Sequence, residues 1–177
     1  SGIGVVSVGH CNSRVTEAIT EQANKLVHVS NYFYVEHRGE LAERISDMLA
    51  HGTEAVWQSF FANSGAEANE GAIKVARRWG EKKLGGATGI LTAQKSFHGR
   101  TLATLAATAQ DNKQDPFAPL PAGFGRTPLN DIDALAAALD GEIDGTRPCA
   151  LMIECIQGES GVWPCSLEYL KAAREMT

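Results

Sequence analysis

Apolar residues recur at helical spacing in two early stretches of the chain. Val15, Ala18, Ile19, Ala23 and Leu26 share one face, with Asn12 or Ser13 placed to cap the first turn. Leu41, Ile45, Met48 and Leu49 form a second such face, where Glu40 and Arg44 stand one turn apart and offer modest support. The pattern then changes. Val56-Trp57-Gln58-Ser59-Phe60-Phe61 is rich in aromatic residues and predicts a first strand, and Gly89-Ile90-Leu91-Thr92-Ala93 predicts a second. Residues 150–155 predict a third, too apolar to be an edge exposed on one face.

Between the first two strands, Ala72, Ile73, Ala76 and Trp79 mark the inward face of a helix, and the Gly85-Gly86 loop follows. Residues 101–109 are small and apolar, and read as either a helix or a buried connection. Pro116, Pro119, Pro121 and Pro128, with Gly123 and Gly125, mark irregular chain with room for a short strand near Arg126. Asn130 or Asp131 caps a helix through Ile132, Leu135 and Leu139 that ends at Gly141, and another helix runs from Ser166 to Met176. Strands alternating with helices predict an α/β architecture with a mainly parallel sheet and flanking helices.

Composition narrows the partners more than the fold. A chain of 177 residues, 44% hydrophobic and 21% charged, has enough apolar material for a core of ordinary globular type. The net charge of -5 argues against a general nucleic-acid partner, which needs a basic face. No run of about 18 apolar residues is present, so no membrane-spanning helix is expected. The opening residues Ser1-Gly2-Ile3-Gly4-Val5-Val6 lack the basic region and cleavage site of a signal peptide, and read as the middle of a domain. Cys11, Cys149, Cys155 and Cys165 form no Cys-x-x-Cys pair. Neither a zinc site nor a redox motif is expected from them, and a reducing compartment is the default.

Three motifs carry candidate chemistry. In Asn63-Ser64-Gly65-Ala66-Glu67-Ala68-Asn69 a strand runs into a small-residue turn that opens a helix. Unpaired N–H groups and the positive dipole end face outward there, and Gly65 and Ala66 would let a phosphate approach the backbone. The structural alternative is a capping box in which Ser64 and Glu67 satisfy those donors internally. The sequence is neither a Walker loop nor a dinucleotide fingerprint. In Ser96-Phe97-His98-Gly99-Arg100, Phe97 can stack on a planar ring and Arg100 can hold a carboxylate. The alternative makes Phe97 a core residue and Arg100 a solvated loop charge. His98 alone is weak evidence for a general base. Glu154 is expected at the end of the third strand, before the turn Ile156-Gln157-Gly158-Glu159-Ser160-Gly161. Its alternative is a pair of loop carboxylates held by backbone N–H groups. Three motifs at three consecutive strand ends converge on the crevice where α/β sheets bind ligands.

These motifs, with Gly9-His10, His28-Val29-Ser30-Asn31 and Leu120-Pro121-Ala122-Gly123-Phe124, resemble the class III pyridoxal-phosphate aminotransferases over essentially the whole chain. Within that family the likeness is greatest to the acetylornithine aminotransferases, nearer the fungal than the bacterial members. The resemblance implies part of the large domain of a fold-type I pyridoxal-phosphate-dependent transferase. Residues 1–50 would be a small-domain remnant with connecting helices, and 51–177 the first half of the cofactor-binding domain. It implies that Ser64, Gly65 and Ala66 bind the phosphate of pyridoxal 5'-phosphate, that Phe97 stacks on its pyridine ring and that Glu154 lies beside it. It further implies that Arg100 binds the substrate carboxylate and that Glu159 gates a second arginine. Ile3 falls where ornithine δ-aminotransferases carry tyrosine, which tilts the substrate toward an acylated amine, although 4-aminobutyrate aminotransferases share the isoleucine. Cys155 replaces the usual proline, and Ser160 the usual glycine or alanine.

By the same resemblance, the Schiff-base lysine, the aspartate that pairs with the pyridine nitrogen and the second arginine belong further along than Thr177. No catalytic residue is therefore expected in this chain, and the isolated chain is expected to be inactive. Lys74, Lys82, Lys83, Lys95, Lys113 and Lys171 match none of those positions and read as surface residues. The implied reaction moves the terminal amino group of N2-acetylornithine to 2-oxoglutarate, in a homodimer of the mitochondrial matrix or cytoplasm. Other class III ω-aminotransferases, acting on ornithine, 4-aminobutyrate or succinylornithine, are the nearest alternative. A non-catalytic phosphate-binding module is the alternative from another class.

Overall fold

The computed structural model describes residues 2–159 and 161–177. Ser160, one of the two departures from the family pattern, lies outside them. The chain divides into two compact units, Ser1–Ser59 and Phe60–Thr177.

In the first unit, α1 (Ser13–Lys25) begins where the sequence places it, with the Asn12 side chain accepting a hydrogen bond from the Val15 N–H at 3.4 Å. Helix α2 (Arg38–Ala50) carries the expected Glu40–Arg44 pair at 3.2 Å. Neither helix has a buried residue, and apolar positions such as Ile19 and Met48 are exposed.

The second unit opens with α3 (Gly65–Lys83) and continues with β1 (Gly89–Ala93), α4 (Leu102–Ala107) and α5 (Asp111–Gln114). After a 3-10 turn come β2 (Phe124–Thr127), α6 (Ile132–Asp140) and β3 (Pro148–Met152). A hairpin of β4 (Ile156–Gln157) and β5 (Trp163–Pro164) leads to α7 (Leu167–Met176). Strands β2-β1-β3 form one parallel sheet, with Leu91 opposite Gly125 on one side and Leu151 on the other. Every residue of β1 is buried, as its continuous apolar run and central place require. Leu91 packs with Leu135 of α6 and with Tyr169 and Ala173 of α7, making the core on that face. Helix α3 packs against β1 and β3. Gly80 is buried at that contact because a β-carbon there would lie 2.2 Å from the Ala87 carbonyl oxygen and 2.5 Å from the Cys149 β-carbon. No helix among the described residues is long and apolar enough to cross a membrane.

Three expectations need correction. Residues 56–61 form no strand, and Val56 and Phe60 are 88% and 75% exposed. A strand is held by its ladder, and among the described residues no strand pairs with this segment. The third strand stops at Met152, so Glu154 lies past its end, and its half-buried residues form an edge of the sheet rather than a strand covered on both sides. On α3, Ile73 and Gly80 face inward while Ala72 and Trp79 are exposed, because the helix contacts the sheet along a narrower stripe than its apolar residues cover.

Candidate functional site

The N-terminus of α3 satisfies some of its backbone donors and leaves others open. Ser64 is extended, and its Oγ accepts from the Glu67 N–H at 3.2 Å. Glu67 reaches back one residue further than a capping box would, accepting from the Asn63 N–H at 2.6 Å. Between these bonds, the Gly65 and Ala66 N–H groups have no partner among the described residues. A β-carbon on Gly65 would meet nothing within 4 Å, so the space beside these donors is open. The capping bonds therefore satisfy the Asn63 and Glu67 N–H groups and leave those of Gly65 and Ala66 without a partner among the described residues.

The loop after β1 is tied down from inside. Ser96 is fully buried, with its Oγ donating to the Ala107 carbonyl and accepting from the Ala109 N–H, both at 3.3 Å. The His98 N–H donates to Thr108 Oγ1 at 2.9 Å, and the His98 carbonyl accepts from Asn69 Nδ2 of α3 at 2.8 Å. Gly99 has φ +139°, and a β-carbon there would fall 2.5 Å from Thr104 Oγ1 and 2.9 Å from the Ala66 β-carbon. Only glycine lets this loop rest on the first turn of α3. The His98 ring is buried and its Nε2 has no hydrogen-bond partner. Desolvation pushes its pKa down to about 4, against a weaker opposing pull from the Met152 carbonyl. Neutral and enclosed, His98 supports the loop.

The third motif joins the second through Glu154, whose Oε2 accepts from the Phe97 N–H at 3.0 Å. The Arg100 guanidinium lies 5.4 Å from the centre of the Phe97 ring, and the Lys113 ammonium lies 5.2 Å from it. Lys113 is also ion-paired with Glu159. That bond and the Lys113 charge hold the Glu159 carboxyl below the usual carboxylate range, with a smaller contribution from Arg100.

The second unit thus links Ser64, Gly65, Ala66, Phe97, Arg100, Glu154 and Glu159 through contacts that run by way of Asn69, Gly99 and Lys113. They do not sit on three strand ends, because the first strand is absent. Helix α3, the loop after β1 and the segment after β3 bring them together instead. Ile3 belongs to the first unit, where it is exposed on a turn with φ 48°. Lys113, expected at the surface, is a correction: its side chain is 14% exposed, whereas the other five lysines of that group are exposed. Nothing in the local sequence marks it, since α5 is a four-residue helix with no apolar period. Asn69 was legible as part of the first motif, but its bond to His98 spans 29 residues and belongs to the tertiary structure.

The family model for aminotransferase class-III matches residues 1–177. The chain belongs to that family. Among curated relatives, this class III chain is 49% identical to the acetylornithine aminotransferase of Caldanaerobacter subterraneus and 46% identical to that of Methanocaldococcus jannaschii, over 177 residues in each case. Each match covers 99% of this chain and 42% of the relative, so the class III chain spans less than half the length of these proteins. Among solved structures it superposes on the ornithine aminotransferase of Toxoplasma gondii with a TM-score of 0.86 at 29% identity, covering 99% of this chain and 40% of that one. The acetylornithine aminotransferase of Elizabethkingia anophelis gives a TM-score of 0.70 at 34% identity, with 99% and 41% covered.

Proposed function

We propose that the protein carrying this chain is a pyridoxal-phosphate-dependent aminotransferase that moves the terminal amino group of N2-acetylornithine to 2-oxoglutarate. The observation that carries this reading is the closure of the Phe97–Arg100 loop onto the open N-terminus of α3, through Gly99 and Asn69. It brings the loop that carries Phe97 and Arg100 against the first turns of α3, where the Gly65 and Ala66 N–H groups have no partner among the described residues. These residues fit the cofactor. The Gly65 and Ala66 N–H groups and the helix dipole suit a phosphate, with Ser64 beside them. Phe97 suits a planar pyridine ring, and Glu154 fixes the Phe97 backbone from the other side.

When bound, the cofactor supplies an electron sink for charge developing at the carbon that bears the amino group. This chain's residues bind and orient. Arg100 holds a substrate carboxylate by paired hydrogen bonds, and Glu159, ion-paired here with Lys113, is the carboxylate that gates a second substrate arginine in the complete protein. By resemblance, the isoleucine at position 3, where ornithine δ-aminotransferases carry tyrosine, supports a donor with a blocked α-amino group. The relatives of 46–49% identity named as acetylornithine aminotransferases support the same substrate. The complete protein is proposed to act as a homodimer in the mitochondrial matrix or cytoplasm, within arginine biosynthesis.

The test is glutamate formation from 2-oxoglutarate with N2-acetylornithine, ornithine, succinylornithine and 4-aminobutyrate as donors, using the protein that carries this chain. Highest kcat/KM with acetylornithine supports the reading. Preference for free ornithine, whose aminotransferase from Toxoplasma gondii shares the fold, would replace it.

A further inference from the structure

Cys155 and Cys165 lack the spacing of a redox motif, yet the β4–β5 hairpin sets them opposite each other. Ile156 pairs with Pro164 and Gln157 with Trp163 in antiparallel register, so one step outward pairs Cys155 with Cys165. The Cys165 N–H donates to the Cys155 carbonyl at 2.9 Å, which extends the ladder to this pair. Opposed residues of such a ladder have α-carbons about 4.5–5.5 Å apart and direct their side chains to one face. A disulfide spans about 4.4–6.8 Å between α-carbons, so the backbone already has the separation it needs. The Cys165 Sγ lies 3.3 Å from the Glu154 carbonyl oxygen, an atom of the peptide that joins Glu154 to Cys155.

The two thiols differ in access. Cys155 is exposed, whereas Cys165 is half-buried and packs against the core of Leu91, Leu135 and Tyr169. Desolvation pushes the Cys165 thiol up, and the nearby Cys155 adds to that shift. An exposed thiol meets a solution oxidant first, and a sheltered one beside it completes the bond. Cys149 sits against Gly80 of α3 instead.

We infer that Cys155 and Cys165 form a reversible thiol–disulfide site that reacts with low-molecular-weight disulfides of the glutathione class. The Cys155 thiolate attacks one sulfur of oxidised glutathione, forming a mixed disulfide and releasing one glutathione thiolate. The Cys165 thiolate then attacks the Cys155 sulfur, closing the Cys155–Cys165 bond and releasing the second glutathione. The protein gives up two electrons and two protons, and one oxidised glutathione becomes two reduced ones. Excess reduced glutathione runs both steps backwards. In the disulfide the Cys165 Sγ has no hydrogen to donate, so the Glu154 carbonyl loses that partner. The pair thus adjoins the residue whose carboxylate holds the Phe97 N–H, and it stands whether or not the proposed reaction does.

The experiment incubates the folded protein that carries this chain with oxidised and reduced glutathione at stepped ratios. Free thiols are then alkylated, and the protein is cut with a glutamate-specific protease for mass spectrometry. Cleavage after Glu142, Glu154, Glu159 and Glu168 puts Cys149, Cys155 and Cys165 on separate peptides. Peptide 155–159 joined to 160–168 is expected under oxidising ratios, and reduced glutathione should remove the link. In Cys165→Ala the link should vanish and 155–159 should keep one glutathione. The inference is wrong if the unaltered protein yields both peptides alkylated, Cys155 joined to another cysteine, or 155–159 still carrying glutathione. Alkylated 155–159 in Cys165→Ala at the same ratios also overturns it, because Cys155 would not be the attacking thiol. A link that forms only after unfolding in urea does so too, since the hairpin would not be what brings the sulfurs together.

Discussion

The side-chain amide of Asn69, on the second turn of α3, donates to the backbone carbonyl of His98 at 2.8 Å. This one bond joins the helix whose first N–H groups are open to the loop that carries Phe97 and Arg100. With the Gly99–Ala66 contact, it converts two separated motifs into one site.

Asn69→Ala removes the donor and leaves the partly buried His98 carbonyl unpaired. A loss of about 1–3 kcal/mol in unfolding free energy is expected. The midpoint of urea unfolding checks it, and an unchanged midpoint would mean that water replaces the amide at no cost.

Glycine at position 99 is required by both conformation and space, whereas glycine at position 65 is not. Gly99→Ala meets Thr104 and Ala66 at a φ that L-residues rarely adopt, and should destabilise by about 2 kcal/mol or more. Gly65→Ala has open space and a helical backbone, and should be neutral or stabilising by about 0.5 kcal/mol. The same Gly65 change should weaken phosphate-anchored cofactor, so thermal unfolding measured with and without pyridoxal 5'-phosphate separates the two effects.

Gly80→Ala reverses the usual ranking of helix propensities. In an open helix interior alanine would gain about 1 kcal/mol over glycine. Here the added β-carbon strikes the Ala87 backbone at 2.2 Å, and overpacking of that kind should cost about 1–3 kcal/mol. Denaturant unfolding reads the sign directly, and a stabilised variant would mean that α3 does not seat on the sheet at this point.

His98 makes stability depend on pH in a defined direction. Its folded pKa of about 4 lies below the ordinary 6.5, so between these values the unfolded chain binds a proton that the folded chain does not. Its contribution is complete above about pH 6.5, falls as pH drops toward 4 and stays level below that. The slope approaches about 1.4 kcal/mol per pH unit inside the window. Urea midpoints from pH 7 to 4.5 should flatten in His98→Gln relative to the unaltered protein. Parallel curves would show that the imidazole reaches solvent.

What was legible from sequence alone is what depends on near neighbours. The cap at Ser64 was readable, and those at Asn12 and Asp131 to within one residue, because a capping side chain bonds to an N–H three residues away. Strand β1 was readable within its bounds, because a short apolar run between glycine-rich turns has few other ways to be buried. Whether residues 56–61 pair as a strand, whether β3 is central or an edge, and whether Trp79 faces in or out depended on which distant segment covers them. The placing of Lys113 between Phe97 and Glu159 was likewise decided by the anchoring of Gln114 to α4, 8 and 9 residues earlier. Local chemistry is set by covalent neighbours and can be read from the chain. Partner choice is set by packing between segments far apart in sequence, and only the folded structure decides it.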